Sequence, residues 1–150
     1  MFNLVFCDLN AELVSAVDIH VGIKSVCADY FQVANHTDRP VLMTASNPHF
    51  SMGGGLDALF LKHYPLIVNH KQAKGGGMER IQNIVFTITV GRSYRATPEM
   101  VEEAIRFAID NTCDDETLLL SGVGTGIGGM DVDTFVGVLK RCLPTNLMCI

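Results

Sequence analysis

The sequence predicts an α/β protein in which helices cover both faces of a layered sheet, on three observations. Short apolar runs ending in polar or acidic residues alternate with stretches of helical period, the pattern of doubly buried strands and their connecting helices. Two glycine-rich loops stand after such runs and before helical stretches, at strand-to-helix junctions. The chain has 150 residues, 48 % hydrophobic and 18 % charged, enough for one domain with a continuous core and too apolar for a disordered or collagenous chain.

The elements follow in order. Asn3–Cys7 is an apolar run closed by Asp8 and reads as a buried strand. Leu13, Val14, Val17 and Val21 recur at helical spacing, and Gly22 is placed to stop that helix. Ile23–Cys27 reads as a second strand ending at Asp29, the polar patch Asn35–Arg39 as a connecting turn, and Val41–Ala45 as a third strand. After Gly53-Gly54-Gly55, a helical face of Leu56, Leu59, Phe60 and His63 runs up to Pro65, and a further helix over Leu66–Ala73 breaks at Gly75-Gly76-Gly77. Ile84–Val90 has the strand composition Ile-Val-Phe-Thr-Ile-Thr-Val. Thr97-Pro98-Glu99 is a helix start, with Thr97 as N-cap and Pro98 in the first turn, and Val101, Ala104, Ile105 and Ala108 form its buried face. Thr117–Leu120 is a buried strand. Asp131 or Asp133 caps a last helix carrying Phe135, Val136 and Leu139, which Pro144 ends, and Leu147–Ile150 reads as a final strand.

Composition removes several function classes. A net charge of −5 with no cluster of Lys and Arg disfavours electrostatic attraction to duplex nucleic acid or an anionic membrane. No stretch reaches the roughly 18 apolar residues of a membrane span, and the N-terminus lacks the basic and apolar regions of a secretory signal. The five cysteines (Cys7, Cys27, Cys113, Cys142, Cys149) lie mostly in apolar runs, without C-x-x-C spacing, and read as reduced thiols of a cytoplasmic protein. No H-x-x-x-H pair occurs, so neither a metal site nor a metal or redox cofactor is expected.

The chemistry is therefore sought in the two glycine loops, 47–55 and 121–129. At the carboxyl ends of strands, helix N-termini present unpaired N–H groups and a positive dipole end, and glycines let an oxyanion approach the backbone. Gly124-Thr125-Gly126-Ile127-Gly128-Gly129 fits G-x-G-x-x-G, yet a dinucleotide fold needs an acid roughly 20 residues further on, and no acid follows Asp133. Neither loop carries G-K-[ST], and no G-x-S-x-G occurs.

Three ordered motifs resemble the macro domain. Thr44-Ala45-Ser46-Asn47 followed by Gly53-Gly54-Gly55-Leu56-Asp57-Ala58 is similar to its signature of a strand ending in Asn, a glycine run, an apolar residue and an Asp. Leu119 to Gly128 resembles its second phosphate loop, and Cys27-Ala28-Asp29-Tyr30-Phe31 its Gly-Asp-Ile segment. The resemblance implies a three-layer α/β/α sandwich around a mixed sheet of about six strands. It covers residues 23–150 as the core of a single domain, with residues 1–22 as an added strand and helix.

Macro domains bind ADP-ribose, and some hydrolyse ADP-ribosyl linkages or remove the phosphate of ADP-ribose 1″-phosphate. Carried onto this sequence, the resemblance makes Asp29 the acceptor for the adenine amino group, with a backbone N–H at Tyr30 or Phe31 beside it. It makes Asn47 a partner of the distal ribose, and Gly53, Gly54, Gly55 and Leu56 a wrap around ribose and diphosphate. Ser121, Gly122, Val123, Gly124, Thr125, Gly126, Ile127 and Gly128 would supply further phosphate donors. Any hydrolysis would fall to Asn47 and Asp57, with His49 and Ser51 on the intervening loop. Gly128 stands where many hydrolytic members carry Phe or Tyr, or an Asp in a branch with a Lys nucleophile, and no Lys lies between Lys74 and Lys140. The alternative from another class is a macro-fold scaffold or interaction module that no longer binds ADP-ribose. The expected partner is ADP-ribose or an ADP-ribosylated substrate, and the sequence fixes no oligomeric state.

Overall fold

The computed structural model describes residues 3–91, 93–126 and 128–143. Its elements run β1 (Asn3–Asp8), α1 (Ala11–His20), β2 (Lys24–Cys27), α2 (Tyr30–Asn35), β3 (Pro40–Met43), α3 (Gly55–His63), α4 (Pro65–Lys74), β4 (Glu79–Ile81), β5 (Ile84–Phe86), α5 (Pro98–Asp110), β6 (Thr117–Leu120) and α6 (Val132–Cys142). The six strands form one mixed sheet in the order β2-β1-β6-β3-β5-β4. All neighbours pair parallel except β4, which pairs antiparallel with β5 at the edge. The strand of the first 22 residues is thus interior, between β2 and β6.

The period-2 alternation of strand side chains builds two cores. Leu4 and Phe6, Val41 and Met43, and Leu118 and Leu120 face α1, α5 and α6. Val5 and Cys7, Leu42, Leu119, and Ile84 and Phe86 face α2, α3 and α4. The result is a three-layer α/β/α sandwich. Fully burying one such Phe or Leu is worth about 1.5–3 kcal/mol. Among the described residues no helix is long and apolar enough to cross a membrane.

Caps fall where the sequence places them. Thr97 accepts from the Met100 N–H, and of the two acids before α6, Asp131 is the cap, accepting from the Thr134 N–H. Two elements are absent from the sequence reading: α2, six residues without a helical stripe of useful length, and β4, three residues on the sheet edge. The strand expected over Ile84–Val90 is regular only to Phe86, because side-chain hydroxyls replace the ladder: the Thr87 N–H donates to Thr44 Oγ1 at 3.0 Å, and the Thr87 hydroxyl to the Thr44 carbonyl at 2.5 Å. Pairing resumes at a bridge between Ser46 and Ile88. Cys27 and Cys113 are exposed rather than embedded, whereas burial pushes the Cys7 thiol up to about 12. The final strand expected over Leu147–Ile150 lies outside the described residues, as does its preceding Pro144.

Two buried charges organise the periphery. Lys71 is fully buried, and its Nζ donates to the Gly75 and Gly77 carbonyls at 2.9 and 2.6 Å and to Glu79 Oε1 at 2.7 Å. That cage satisfies all three ammonium donors and fixes the glycine break between α4 and β4. Arg80 of β4 holds Glu116 through two parallel bonds of 2.7 and 2.5 Å and also donates to the Asn111 carbonyl at the end of α5. The guanidinium pulls the Glu116 carboxyl from 4.5 down to about 2.

A depressed carboxyl pKa in the fold means that the unfolded chain takes up the proton first on acidification. The Arg80–Glu116 contribution to stability is therefore whole above about pH 4.5 and is lost progressively as pH falls towards about 2. Urea denaturation at a series of pH values should show this acid loss in the wild type and a shallower one in Glu116→Gln. Equal pH slopes would show that the pair carries no such term.

Candidate functional site

Five parallel strands deliver their carboxyl ends to one edge of the sheet, and a cleft of about 710 Å³ lies along that edge. This is within the range of roughly 300–1,000 Å³ found for small-molecule sites. From β2 to β5 there are four inter-strand steps of roughly 4.8 Å, so the cleft extends over about 19 Å. Ala28 and Asp29 after β2 and Asp8 of β1 line one end, the loop after β6 the middle, and Asn47, Thr89 and Val90 beyond β3 and β5 the other end.

Of the described residues singled out from sequence, Asp29, Tyr30, Asn47, Ser51, Gly53 to Asp57, residues 121–126 and Gly128 lie on this cleft, and His49 does not. Ile127 lies outside the described residues. The cleft also takes Asp8, Leu9, Asn10 and Tyr94, which sequence reasoning missed. Asp8 and Asn10 had a usable signal, an acid at a strand end two residues before a helix N-cap.

The acidic and amide side chains mostly bond their own backbone. Asp29 caps α2, its Oδ1 accepting from the Phe31 and Gln32 N–H groups, both at 3.0 Å. With Val33 N–H on the Asp29 carbonyl, the Tyr30 amide alone in that first turn lacks a partner among the described residues. The Tyr30 side chain belongs to the core: its hydroxyl donates to the Leu119 carbonyl at 2.7 Å and accepts from the Met43 N–H at 2.8 Å. Burial raises its pKa well above the usual value, which keeps the proton that this bridge needs. Asp8 accepts from the Asn10 N–H and the Gly122 N–H, both at 2.9 Å, tying the second glycine loop to β1.

Asn47 closes an Asx-type turn: its Nδ2 donates to Ser51 Oγ at 2.6 Å, and its Oδ1 accepts from the His49 N–H at 3.0 Å. Phe50 and Met52 in that loop hold positive φ values of 51° and 55°, each a cost of roughly 1–2 kcal/mol for a side chain other than Gly. Both are buried, and Gln72 Nε2 donates to the Phe50 carbonyl at 3.1 Å while Lys71 Nζ lies 4.6 Å from the Phe50 ring centre, so α4 holds the strained loop. Asp57, 6 % exposed, accepts from the Ala45 N–H at 3.0 Å and so clamps the first turn of α3 to the end of β3. Burial, the dominant cause, raises its carboxyl pKa against the lowering by Ser46 and Ala45.

What remains open is backbone. Side chains cap α1, α2, α5 and α6, but Gly54 leaves the first turn of α3 uncapped, with the Gly55, Leu56 and Asp57 amides unpaired among the described residues. In the second loop, the Val123, Thr125 and Gly129 amides are spent on internal turns. The Gly124, Gly126 and Gly128 amides have no partner among the described residues. Gly128 has no room for a side chain: a Cβ would lie 2.7 Å from the Gly124 carbonyl oxygen and 2.8 Å from Ala96 Cβ. A phenyl or carboxylate at this position is therefore excluded by backbone packing.

No family model and no curated protein matches the sequence. Among solved structures, the macrodomain of Mycobacterium tuberculosis DarG matches with a TM-score of 0.59 at 15 % identity, over 77 % of this chain and 85 % of that one. The chain has the macrodomain fold.

Thr89 Oγ1 in the wall of the β5 end is the one buried side-chain N or O among the described residues without a hydrogen-bond partner. An orphaned hydroxyl costs about 1–3 kcal/mol, and valine has the same shape without it. Thr89→Val should therefore leave the free protein as stable as wild type or up to about 1 kcal/mol more stable in urea denaturation. A loss of stability would reveal a partner for the hydroxyl.

Proposed function

We propose that this protein binds ADP-ribose, free or as an ADP-ribosyl group on a larger substrate. The observation that carries the reading is the pair of unpaired amide sets on one cleft, those of the first turn of α3 and those of Gly124, Gly126 and Gly128. Together with the helix dipole they form an anion site of the length and volume a diphosphate-linked ligand needs, without a lysine-bearing phosphate loop.

Asp29 uses only Oδ1 for its cap, which leaves Oδ2 to accept from the adenine amino group, and the Tyr30 amide is free for a ring nitrogen. The diphosphate then takes the α3 and second-loop amides, and the distal ribose comes to the end formed by Asn47, Thr89 and Asp57. The macrodomain fold of the DarG domain agrees with this reading at the level of the fold. Free thiols at Cys7, Cys27, Cys113 and Cys142 agree with a cytoplasmic location.

A second reading, hydrolysis of an ADP-ribosyl bond, is favoured by the raised pKa of Asp57, which brings a carboxylate at this end closer to the range a general base uses. Recognition remains the primary reading, because Asn47 and Asp57 both spend polar atoms on holding their own loops.

Titration calorimetry should show ADP-ribose binding more tightly than ADP, and ADP more tightly than AMP. Asp29→Asn keeps an oxygen for the cap but puts an NH₂ donor against the adenine amino group, so it should weaken binding by about 1–3 kcal/mol. Absence of binding in the wild type overturns the reading, and unchanged affinity in Asp29→Asn removes Asp29 from it. Assays on ADP-ribosylated protein, ADP-ribosylated DNA and ADP-ribose 1″-phosphate decide the second reading. Turnover that disappears in an Asn47→Ala, Asp57→Asn double variant supports it; no turnover by the wild type on any of the three leaves recognition alone.

A further inference from the structure

Tyr94 stands at the β3–β5 end of the cleft, on a segment that belongs to neither glycine loop. A turn closes there, with the Gly91 N–H donating to the Arg95 carbonyl at 3.2 Å and the Tyr94 N–H to the Gly91 carbonyl at 3.0 Å. The segment is tied to both ligand loops: the Thr89 N–H donates to the Ser46 carbonyl at 2.9 Å, beside Asn47, and the Ala96 N–H to the Gly128 carbonyl at 3.0 Å. Those bonds set Tyr94 between the two loops.

The residue has features that packing does not account for. The residue lines the cleft yet is 54 % exposed, and its ring makes no contact among the described aromatics. Its φ is +59°, a conformation that disfavours a side chain and that glycine takes freely. The closed turn and the bonds of its flanks hold this costly backbone in place, and strain so held beside a cleft points to a function there.

We infer that Tyr94 is the specificity-determining residue of the cleft, its ring covering the apolar face of the ligand's terminal sugar, so that the site prefers ADP-ribose to ADP. The inference rests on the reading of the cleft as an ADP-ribose site. A pentose presents C–H groups on its faces and hydroxyls at its edge. An aromatic ring can cover the face while the hydroxyls turn to Asn47 or water. Base and diphosphate are common to both nucleotides and are assigned to the β2, β1 and β6 loops and to α3. Loss of the ring should therefore be felt only by the ligand that has the second sugar.

The test is calorimetry of ADP-ribose and ADP on wild type, Tyr94→Phe, Tyr94→Ala and Tyr94→Gly, with a thermal melt of each free protein. Tyr94→Ala and Tyr94→Gly should lose roughly fivefold to tenfold in affinity for ADP-ribose, with ADP held within about twofold. Tyr94→Phe, which keeps the ring, should bind both as the wild type does. Glycine relieves the positive φ, so Tyr94→Gly should melt no lower than wild type, which separates lost recognition from lost folding. ADP-ribose affinity unchanged in Tyr94→Gly, or ADP affinity lost in equal measure, overturns the inference while leaving the cleft an ADP-ribose site. A wild type that binds neither nucleotide overturns the functional reading and this inference with it.

Discussion

Five adjacent strands run parallel, and that single arrangement sets the position of everything at the cleft. Parallel neighbours cannot be joined by hairpins, so the chain must cross over after each strand, and all five strands end at the same edge. The loops after β2, β1, β6, β3 and β5 are thereby gathered in one row, although they come from positions as far apart as Asp8 and Gly128. The two alternating cores on either side of the sheet keep the row rigid.

Within that row, side chains and backbone divide the work. Asp8, Asp29, Asn47 and Asp57 hold Gly122, the start of α2, the 47–51 turn and the end of β3, respectively. Each removes a backbone donor or acceptor from the cleft and fixes the course of a loop. The glycine amides that these bonds leave unpaired carry the partial positive charge of the site, reinforced at α3 by the uncapped helix end. Such a surface suits an anion with several oxygens more than a single cation-seeking carboxylate. The strain at Phe50, Met52 and Tyr94 sits in the same loops, held by Gln72, Lys71 and the bonds from the 89–96 segment to its neighbours.

Much of this was legible in the residues. Among the described residues, the strand and helix periods gave five of six strands and five of six helices, and the glycine loops gave the position of the cleft. The antiparallel edge strand was not legible, because Glu79-Arg80-Ile81 is too short for a pattern and is held by Arg80 to Glu116. Nor was α2, whose start depends on Asp29 acting as a cap while its side also faces the cleft. Tyr30 shows the limit of reading a site from order alone: the position faces the cleft through its amide, and its ring is part of the core. Thr89 and Tyr94 carry no local signal, since their relation to Asn47 and Gly128 arises only when the β5 segment is laid between the two loops.

The central claim is that backbone amides from two separate loops hold one ligand. The most direct measurement is a ¹⁵N-resolved NMR titration of the whole chain with ADP-ribose, following the amides of Tyr30, Gly55, Leu56, Gly124 and Gly126. The account predicts that these amides shift together along one saturating curve, while those of the β4 edge stay in place. Shifts confined to one of the two loops, or saturating separately, would contradict it.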